Sequence, residues 1–542
     1  MRRLFYNGTI ITMSDELYVE ALCIENDTII GVGKENQLRM LLDEGDECID
    51  LKGNVLLPGF IDAHSHFTGV ANSLSQCDLS QAHCFEDIKN MMIAFIKEHH
   101  IQEGEWVYGS HYDHNDLVER RHPDKSLLDE ISLVHPIVIV HASSHMGVAN
   151  SLALKSQHIS SSTLNPIGGK YGREKGSLEP NGYMEEKAFI QFQNQAPMVS
   201  VERMMELFQE AQHIYASYGI TTIQEGMVAQ PLFDLLHYAA KKNLFQQDII
   251  GFVDIANCSD LIDAYPQYKN QYHHHFKLGG YKTFLDGSPQ GKTAWMTTPY
   301  QGSDNECGYP VLSNQQLYNQ ILTALQQHQQ LLAHCNGDAA AEQYITQFKK
   351  VLDDYSNLEA CRPVMIHAQL VRHDQLQRMK AINMIPSFFV AHTYYWGDVH
   401  IQNFTQARAN FISPTKDAMQ LQMPFILHQD APVLMPDMLK TVWCAVNRVT
   451  KQGIVLGEQE RIPPYEALKA ITVHPAYQYF EESQKGTLEV GKKADLVILD
   501  KNPLLVPPLT IDTIQVLQTI KDGNVIYQKK SQSNSYIKEE TI

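Results

Sequence analysis

Short apolar runs alternate with helical stretches through the middle of this 542-residue chain. This alternation is typical of the strands of a parallel sheet with helices between them. Eight runs stand out, the number that a closed barrel needs. They are residues 55–60, 221–224, 249–255, 281–285, 331–333, 363–366, 384–389 and 424–427. The sequence therefore predicts an α/β fold with a TIM-like (β/α)8 barrel over residues 55–485.

The first two predicted barrel strands are separated by a long stretch of chain. A barrel of about 250 residues leaves room for such an addition. We assign residues 68–205 to an insertion after the first strand, acting as a cap or substrate subdomain. The strand-like run 136–141 is placed in this insertion rather than in the barrel.

Both ends of the chain are rich in strands. Runs at 4–6, 9–13, 21–24 and 28–33 are separated by the turn signals Asn7-Gly8 and Asn26-Asp27. Near the other end, 514–520 and 524–527 flank Asp522-Gly523 as in a hairpin. We expect residues 1–54 and 486–530 to form one composite β-sandwich. The polar segment 531–542 is expected to fray.

Charge and cysteine content narrow the class of protein. Lys and Arg number 43 against 62 Asp and Glu, a net charge of −19, which disfavours binding to nucleic acid or an anionic membrane. No run of about 18 apolar residues could span a bilayer, and no apolar core of a signal peptide follows Arg2 and Arg3. Nine scattered cysteines without a CxxC pair indicate reduced thiols. We expect a cytoplasmic protein with a small-molecule substrate, and a homodimer is a reasonable expectation.

The sharpest motif is an apolar run that ends in His64 and His66. Residues two apart on a strand face the same side, so both imidazoles can converge on one metal ion. Two ordinary core or surface histidines would give the same pattern. This pair alone therefore leaves both interpretations open.

Three later predicted strands also end in metal-binding residue types, namely His334, His367 and Asp430. The carboxyl ends of barrel strands are where active sites form in this architecture. Neutral imidazoles with a carboxylate are the usual ligands of zinc. The sequence therefore predicts that these three residues share a metal site with His64 and His66.

The motifs together resemble the amidohydrolase superfamily, and within it the YtcJ-like branch that includes N-substituted formamide deformylases. The similarity covers nearly the whole chain. Its motifs are PGFIDAHSH at 58–66, YGITT at 218–222, KTFLDGS at 282–288, HCNGD at 334–338, DAPV at 430–433 and GKKADLV at 491–497.

The resemblance implies two divalent ions, zinc above all, bridged by a hydroxide and a carboxylated lysine at the position of Lys282. His64, His66 and Asp430 would bind the first ion. Lys282, His334 and His367 would complete the second. Iron, manganese or cobalt would accept the same ligands.

Asp430 would also take a proton from the attacking water and pass it to the leaving amine. For Asp430 the alternative is a helix cap, and for Lys282 it is a surface or salt-bridging lysine. Glu225 could be a ligand, a substrate contact or a partner behind a ligand.

Four positions are candidates for substrate contact: His145, Glu225, His392 and Trp396. His145 could equally be a structural histidine, and the aromatic segment around His392 could simply pack its loop. Asp338 is expected to hold a ligand histidine in place from behind.

These expectations point to a metal-dependent hydrolase that cleaves a carbon–nitrogen bond outside peptides, such as an N-substituted amide or formamide. A cyclic amide, carbamate or ester hydrolase with the same metals is the alternative among enzymes, because a fold does not fix the substrate. A non-catalytic binding or regulatory descendant is a further alternative. It is disfavoured because all six ligand positions carry competent residue types.

Overall fold

A computed structural model describes residues 1–141, 146–166, 168–195 and 199–530. Its largest sheet is curled and has eight strands, each paired in parallel with the next along the chain. The strands are Phe60–Asp62, Ile220–Val228, Asp248–Asp254, Phe276–Phe284, Gln330–Cys335, Val364–His367, Ile385–Phe388 and Ile426–Leu427. This arrangement is that of a TIM-like barrel, as the sequence predicts.

A short segment connects the first and last strands of this sheet. The backbone N–H of Ile61 donates to the carbonyl of Ile471 (2.9 Å), and that of Leu427 donates to Ala470 (3.2 Å). Alternate strand residues such as Ile250 and Phe252 point inward. The inner cluster that they form also contains Ile61, Leu332, Val364, Ile366, Ile385 and Ile426.

The prediction that residues 55–60 form one barrel strand is wrong for the first four. Val55–Pro58 pairs with Thr9–Ile11 and Leu496–Leu499 in a different sheet, and the barrel strand begins at Phe60. Gly59 lies between the two strands, so close to Thr221 that a Cβ there would be 2.5 Å from that side chain. A continuous apolar run shows that a strand is buried but not to which sheet it belongs.

The two ends of the chain contribute two further sheets. One contains, in spatial order, Thr28–Gly33, Ala21–Glu25, Arg2–Tyr6 and Glu47–Asp50. The other contains Asn524–Gln528, Val516–Lys521, Leu496–Leu499, Val55–Pro58, Thr9–Ile11 and Tyr18–Val19. Leu22 and Ile24 of the first share one hydrophobic cluster with Leu56 and Leu496 of the second. A composite β-sandwich would pack in this way, and its standing as a separate domain stays a prediction. Residues 531–542 lie outside the described residues.

Gly69–Glu210 forms a compact unit of its own. Its six-stranded sheet contains, in order, Gly169–Arg173, Pro180–Glu186, Met146–Ala149, Ile137–His141, Val107–Tyr112 and Gln76–Asp78. Ile88 and Met92 of one helix pack with Leu128 of another and with Ile137 and Ile139 of the sheet. The predicted role of the insertion as a cap over substrate stays a prediction.

Helices follow most strands of the barrel sheet. Asn314–Gln326 shows why: Ser313 and Gln316 form a capping box, and Leu317, Ile321, Ala324 and Leu325 are buried at helical spacing. Helices of the described chain are Glu35–Leu38, Phe67–Ser73, Phe85–Glu98, Lys125–Ile131, Ser151–Ser156, Lys187–Gln195, Val201–Ser217, Gln230–Lys241, Leu261–Ala264, Asn314–Gln326, Asp338–Asp354, His373–Ala381, His392–Tyr395, Gly397–Ala409, Thr415–Gln420, Met438–Asn447, Pro464–Lys469 and Val473–Gln478, with 3-10 turns at Arg39–Leu41, Pro266–Tyr268, Glu458–Glu460 and Pro508–Thr513. Within the described ranges, none of these helices combines the length and apolar character needed to cross a bilayer.

A buried network of charges lies where Asp248 begins a barrel strand. Lys485 and Lys521 both contact its carboxylate, Lys521 at 3.0 Å. Lys485 also pairs with Glu481 at 2.9 Å, and Lys521 with Asp495 at 3.1 Å. Burial acts to raise the pKa of Asp248, but the two lysines hold it well below its usual value. Because Lys521 belongs to a sheet formed by the chain ends, the network ties that sheet to the barrel.

Candidate metal centre

The predicted pair of histidines directly follows the first barrel strand. His64 is buried, and His66 forms an isolated β-bridge with Glu225 of the next strand. Gly226 makes this approach possible, because a Cβ there would lie 2.9 Å from the ring of His66 and 3.1 Å from that of His64. The glycine of the second strand therefore lets both imidazoles sit at the carboxyl end of the barrel.

Asp430 lies at the centre of the predicted ligands. Its Oδ1 is 3.2 Å from Nε2 of His64 and 3.5 Å from Nε2 of His66, and its Oδ2 is 3.9 Å from Nε2 of His367. The ligand atoms of His64, His367 and Asp430 all lie within 4.8 Å of one another. Residues more than 300 positions apart in the chain thus converge on one point.

Lys282 and His334 join the same cluster. The Lys282 amine is completely buried and lies 3.5 Å from Nε2 of His64. Nδ1 of His334 is 3.1 Å from Nε2 of His367. The structure therefore brings all six predicted ligand residues together, while their role as ligands stays a prediction.

Two residues of the cluster have a backbone conformation that residues other than glycine rarely adopt. His367 has a φ of 73° and Asp430 a φ of 58°, both in the left-handed region. Each residue lies at or just after the end of a barrel strand, where the chain turns at the carboxyl rim.

The protonation states match what a metal ion requires. Burial, followed by the charge of Lys282, lowers the pKa of His64 to about 4 and that of His334 to about 3. Burial acts to raise the pKa of Asp430, but His64, His367 and His66 hold it well below its usual value. Near neutral pH His64 and His334 are therefore neutral and Asp430 is ionised, the forms that bind metal.

The pKa of Lys282 is also shifted by burial. Burial lowers the pKa of its amine to about 7. A large share of this amine is therefore neutral near neutral pH, which is the form that can react as a nucleophile.

One atom tests whether a cation fits this cluster. Oδ1 of Asp430 is buried and accepts no hydrogen bond within the described part of the chain. A buried carboxylate oxygen without a donor is costly unless a cation compensates it. Imidazole nitrogens of His64 and His66 lie 3.2 and 3.5 Å from this oxygen, so the donor set suits a divalent ion such as zinc.

Sequence reasoning missed the residue that orients His64. Oε1 of Gln224 lies 2.8 Å from Nδ1 of His64, and its amide nitrogen donates to the carbonyl of Ala63 (2.6 Å) and the hydroxyl of Tyr479 (2.9 Å). These donations fix the amide, so Nδ1 of His64 carries the proton and Nε2 faces Asp430. The sequence feature that could have identified Gln224 is the presence of an amide side chain in a buried strand, next to Glu225.

His428 was also missed, although it lies two residues before Asp430. Its Nε2 is 3.3 Å from Nδ1 of His367, and its Nδ1 is 2.9 Å from the hydroxyl of Ser387. His428 therefore supports His367 from behind and leaves Nε2 of His367 turned toward the cluster.

The expectation for Asp338 needs a correction. Its side chain accepts from the backbone N–H of Thr297 (2.9 Å) and from Arg372 (3.0 Å) rather than from a ligand histidine. Asp338 begins a helix, which turns its side chain toward those two partners. Asn336 contacts the ligand instead, with its amide nitrogen 3.0 Å from Nε2 of His334.

Asp286 holds this loop in place. Its carboxylate accepts backbone N–H groups of Asn336 (2.9 Å), Gly337 (2.7 Å) and Trp295 (3.0 Å). Burial raises its pKa to about 7 against these donors. Asp286 thus fixes the backbone from which Asn336 reaches His334.

Glu225 contacts a ligand rather than the centre of the cluster. Its Oε1 is 3.8 Å from Nδ1 of His66, and its Oε2 accepts the backbone N–H of Thr68 at 2.7 Å. Burial acts to lower the pKa of His66, but Glu225 and Asp430 raise it above its usual value. These contacts favour the interpretation of Glu225 as a partner behind a ligand.

Of the remaining candidates for substrate contact, two lie in an aromatic group near the cluster and one lies outside the described residues. His392 is buried, with Nδ1 2.9 Å from His400, and its ring packs on Trp396 and Phe389. Phe389 in turn lies against His428 at 5.3 Å between ring centroids, so an aromatic wall adjoins the cluster. His145 lies outside the described residues.

Comparison with known proteins agrees with this geometry. The model of the Amidohydrolase family matches residues 47–527. The putative amidohydrolase YtcJ of Bacillus subtilis (strain 168) is 25% identical over 543 residues, which cover 98% of this chain and 100% of that protein. The N-substituted formamide deformylase of Arthrobacter pascens is 25% identical over 524 residues, covering 94% of this chain and 95% of the relative.

A solved structure shares the fold. The uncharacterized metal-dependent hydrolase from Pyrococcus horikoshii OT3 superposes with a TM-score of 0.79 at 23% identity, covering 94% of this chain and 99% of its own. The family match spans most of the chain, and the cluster at the carboxyl ends of the barrel strands has the residue types that such a hydrolase needs. The chain belongs to the amidohydrolase family, as a metal-dependent hydrolase acting on carbon–nitrogen bonds other than peptide bonds.

Proposed function

We propose that this enzyme hydrolyses an N-substituted amide, with formamides as the preferred class. The observation that carries the proposal is the position of Asp430, whose Oδ1 lies 3.2 Å from His64 and 3.5 Å from His66. A carboxylate so placed can bind a cation and still reach a water molecule beside it. Similarity to an N-substituted formamide deformylase over 94% of the chain supports the substrate class.

The proposed metal site has two ions, held by the six clustered residues. His64, His66 and Asp430 would hold one, and Lys282, His334 and His367 the other. Zinc suits this mixture of imidazole and carboxylate best, while iron, manganese or cobalt would accept the same ligands. When bound, divalent ions lower the pKa of water and polarise a carbonyl.

Lys282 enters this proposal as a carbamate. A free ammonium group among imidazoles would repel the ions, whereas a carbamate supplies two oxygens. The carbamate forms when the neutral amine attacks carbon dioxide. A nitrogen–carbon bond forms as one carbon–oxygen π bond opens to a carboxylate, and one amine proton leaves to solvent. Complete burial and a pKa lowered to about 7 make the neutral amine available near neutral pH.

Asp430 carries the proton in the proposed reaction. Its carboxylate accepts a proton from the attacking water and donates it to the nitrogen of the leaving amine as the carbon–nitrogen bond breaks. A formamide would yield formate and an amine. The aromatic wall of Phe389, His392 and Trp396 supports an apolar substituent on that nitrogen.

A hydrolysis screen on the metal-loaded full chain tests the proposal. The panel contains formamides with alkyl and aromatic substituents, larger N-acyl amines, cyclic amides, carbamates and esters, and amine, acid or alcohol release is measured. We expect the highest kcat/KM on formamides with an apolar substituent, and none in the His64→Asn, His66→Asn double variant. Faster turnover of cyclic amides, carbamates or esters would reassign the substrate class. No turnover of any compound by fully metal-loaded protein would favour a binding or regulatory role.

A cytoplasmic location is proposed on the cysteines alone. All nine are free, including the exposed Cys48. Proteins of oxidising compartments tend to pair such thiols.

A further inference from the structure

A second group of metal-binding residue types lies within the unit Gly69–Glu210. Asp113 and His114 directly follow the strand Val107–Tyr112, and His141 ends the neighbouring parallel strand Ile137–His141. Tyr112 and His141 are register partners, so these carboxyl ends meet at the same edge of the sheet. The topology that gathers ligands in the barrel thus recurs on a smaller scale here.

The distances among the three side chains are those of a metal site. Nδ1 of His114 is 3.2 Å from Nε2 of His141, Oδ1 of Asp113 is 3.4 Å from Nε2 of His141, and it is 3.6 Å from Nδ1 of His114. Zinc bonds of about 2.0–2.1 Å place two donor atoms of a tetrahedral site about 3.3–3.4 Å apart. An ion equidistant from the three atoms would therefore sit at bonding distance from each.

The surroundings hold these donors in place. Oδ1 of Asp113 accepts the backbone N–H (2.8 Å) and the side-chain amide (3.0 Å) of Asn115. His141 is buried, whereas Asp113 and His114 are half-buried, so solvent can reach the group from one side. The ring of His122 covers His114 at 4.0 Å between centroids, with its Nδ1 3.1 Å from the Tyr112 hydroxyl.

We propose that Asp113, His114 and His141 bind one zinc-like divalent ion, with water in the remaining coordination position. Two imidazoles and one carboxylate are a competent three-residue set. Because the ligands come from the ends of two neighbouring strands, the ion would pin the segment that follows Tyr112 to the strand Ile137–His141. The site is additional to the barrel cluster and does not depend on the proposed substrate.

Zinc titration of a barrel-blocked chain tests this site by itself. The full chain carrying His64→Asn, His66→Asn and His334→Asn lacks three of the six proposed barrel ligands. Stoichiometric binding that survives in this protein and disappears on loss of His114 and His141 therefore belongs to the second group. We expect this protein to bind about one zinc ion, and its cobalt complex to show the absorption of a low-symmetry site. Adding His114→Gln and His141→Gln should abolish that binding.

His111→Gln is the matched control. His111 lies in the strand Val107–Tyr112, close to the proposed site. Its imidazole contacts a single carboxylate, that of Asp78, at 3.3 Å, and half of its side chain is exposed. On the barrel-blocked background this variant should keep full zinc binding. Asp113→Asn, which preserves shape and retains an oxygen donor, should weaken zinc binding at least tenfold.

Circular dichroism identifies any variant that fails to fold, and hydrogen exchange gives an independent measurement. Zinc should slow amide exchange in the segment around Asp113 and His141 of the barrel-blocked protein, and should not do so in the His114→Gln, His141→Gln protein. Three results would overturn the proposal: no zinc binding by the folded barrel-blocked chain, unchanged binding after loss of His114 and His141, or equal loss in the His111→Gln control. In each case the three side chains form only a hydrogen-bonded cluster.

Discussion

Replacing Gln224 by leucine tests whether the orientation of His64 contributes to metal binding. Gln224 accepts from Nδ1 of His64 at 2.8 Å, so a bound ion at Nε2 requires the proton to sit on Nδ1. In Gln224→Leu this buried N–H has no acceptor when metal is bound. Without metal the proton can move to Nε2 and point at Asp430, 3.2 Å away.

The cost of the substitution therefore falls on the metal-bound state. An unpaired buried N–H costs about 1–3 kcal/mol. Loss of a partner behind a metal ligand typically weakens affinity about 10–100-fold, which corresponds to about 1.4–2.7 kcal/mol. The two ranges agree, so we expect the dissociation constant of the tighter ion to rise about 10–100-fold.

The measurement is a competition for metal between the full chain and a chelator of known affinity. Gln247→Leu is the control, because Gln247 is equally buried and donates to a backbone carbonyl, that of Ile220, at 2.7 Å. Gln247 directly precedes the strand Asp248–Asp254 and, within the described part of the chain, has no hydrogen bond to a predicted ligand. Gln247→Leu should therefore lose stability but keep its metal affinity. Wild-type affinity in Gln224→Leu, or equal weakening in Gln247→Leu, would show that Gln224 does not support metal binding by orienting His64.

Three further substitutions separate the roles of other residues. Asp430→Asn should lower kcat by about 10²–10⁴-fold while metal analysis still finds bound ions; unchanged turnover would remove Asp430 as the proton carrier. Lys282→Ala should lose one ion per chain and the carbamate carbon signal that ¹³C-bicarbonate gives in the wild type; equal spectra would show that Lys282 is not carboxylated. Asp248→Asn should lower the free energy of unfolding in urea by about 3–5 kcal/mol at pH 7, whereas Asp353→Asn, in a surface pair with Lys349, should change it little. Because the folded-state pKa of Asp248 is depressed, its contribution is present above the unfolded-state pKa of about 3.9 and disappears as pH falls through the folded value. The gap between Asp248→Asn and the wild type should therefore shrink in acid, and a constant gap would contradict this account.

The sequence was sufficient to predict residues that have a metal-binding side chain and also lie at the end of a barrel strand. His64, His66 and Asp430 stand at the ends of apolar runs, and the order of a parallel barrel then places them at one rim. The same logic could not assign Val55–Pro58, because its residues are buried in either sheet. Membership of a sheet depends on pairing with Leu496–Leu499, far away in the chain.

The supporting residues escaped prediction for a different reason. Gln224 and His428 act through one specific nitrogen of a ligand, and no spacing rule encodes which atom faces which. Asp338 shows the converse: its motif predicted contact with a ligand, yet the helix that it begins turns its side chain to Thr297 and Arg372. Such contacts depend on side-chain geometry that only the folded chain defines.

Three of the four imidazoles of the cluster are each held by a different neighbouring side chain, and this has a consequence for metal binding. Gln224 holds His64, His428 with Ser387 holds His367, and Asn336 contacts His334 from a loop fixed by Asp286. Each of these contacts leaves one ring nitrogen turned toward the cluster, where the neighbouring donor atoms lie 3.1–3.5 Å apart. Because the supporting contacts fix these ring orientations, little reorientation of the ligands is needed when a cation binds. The affinity for metal should therefore depend on the supporting contacts as well as on the ligands themselves.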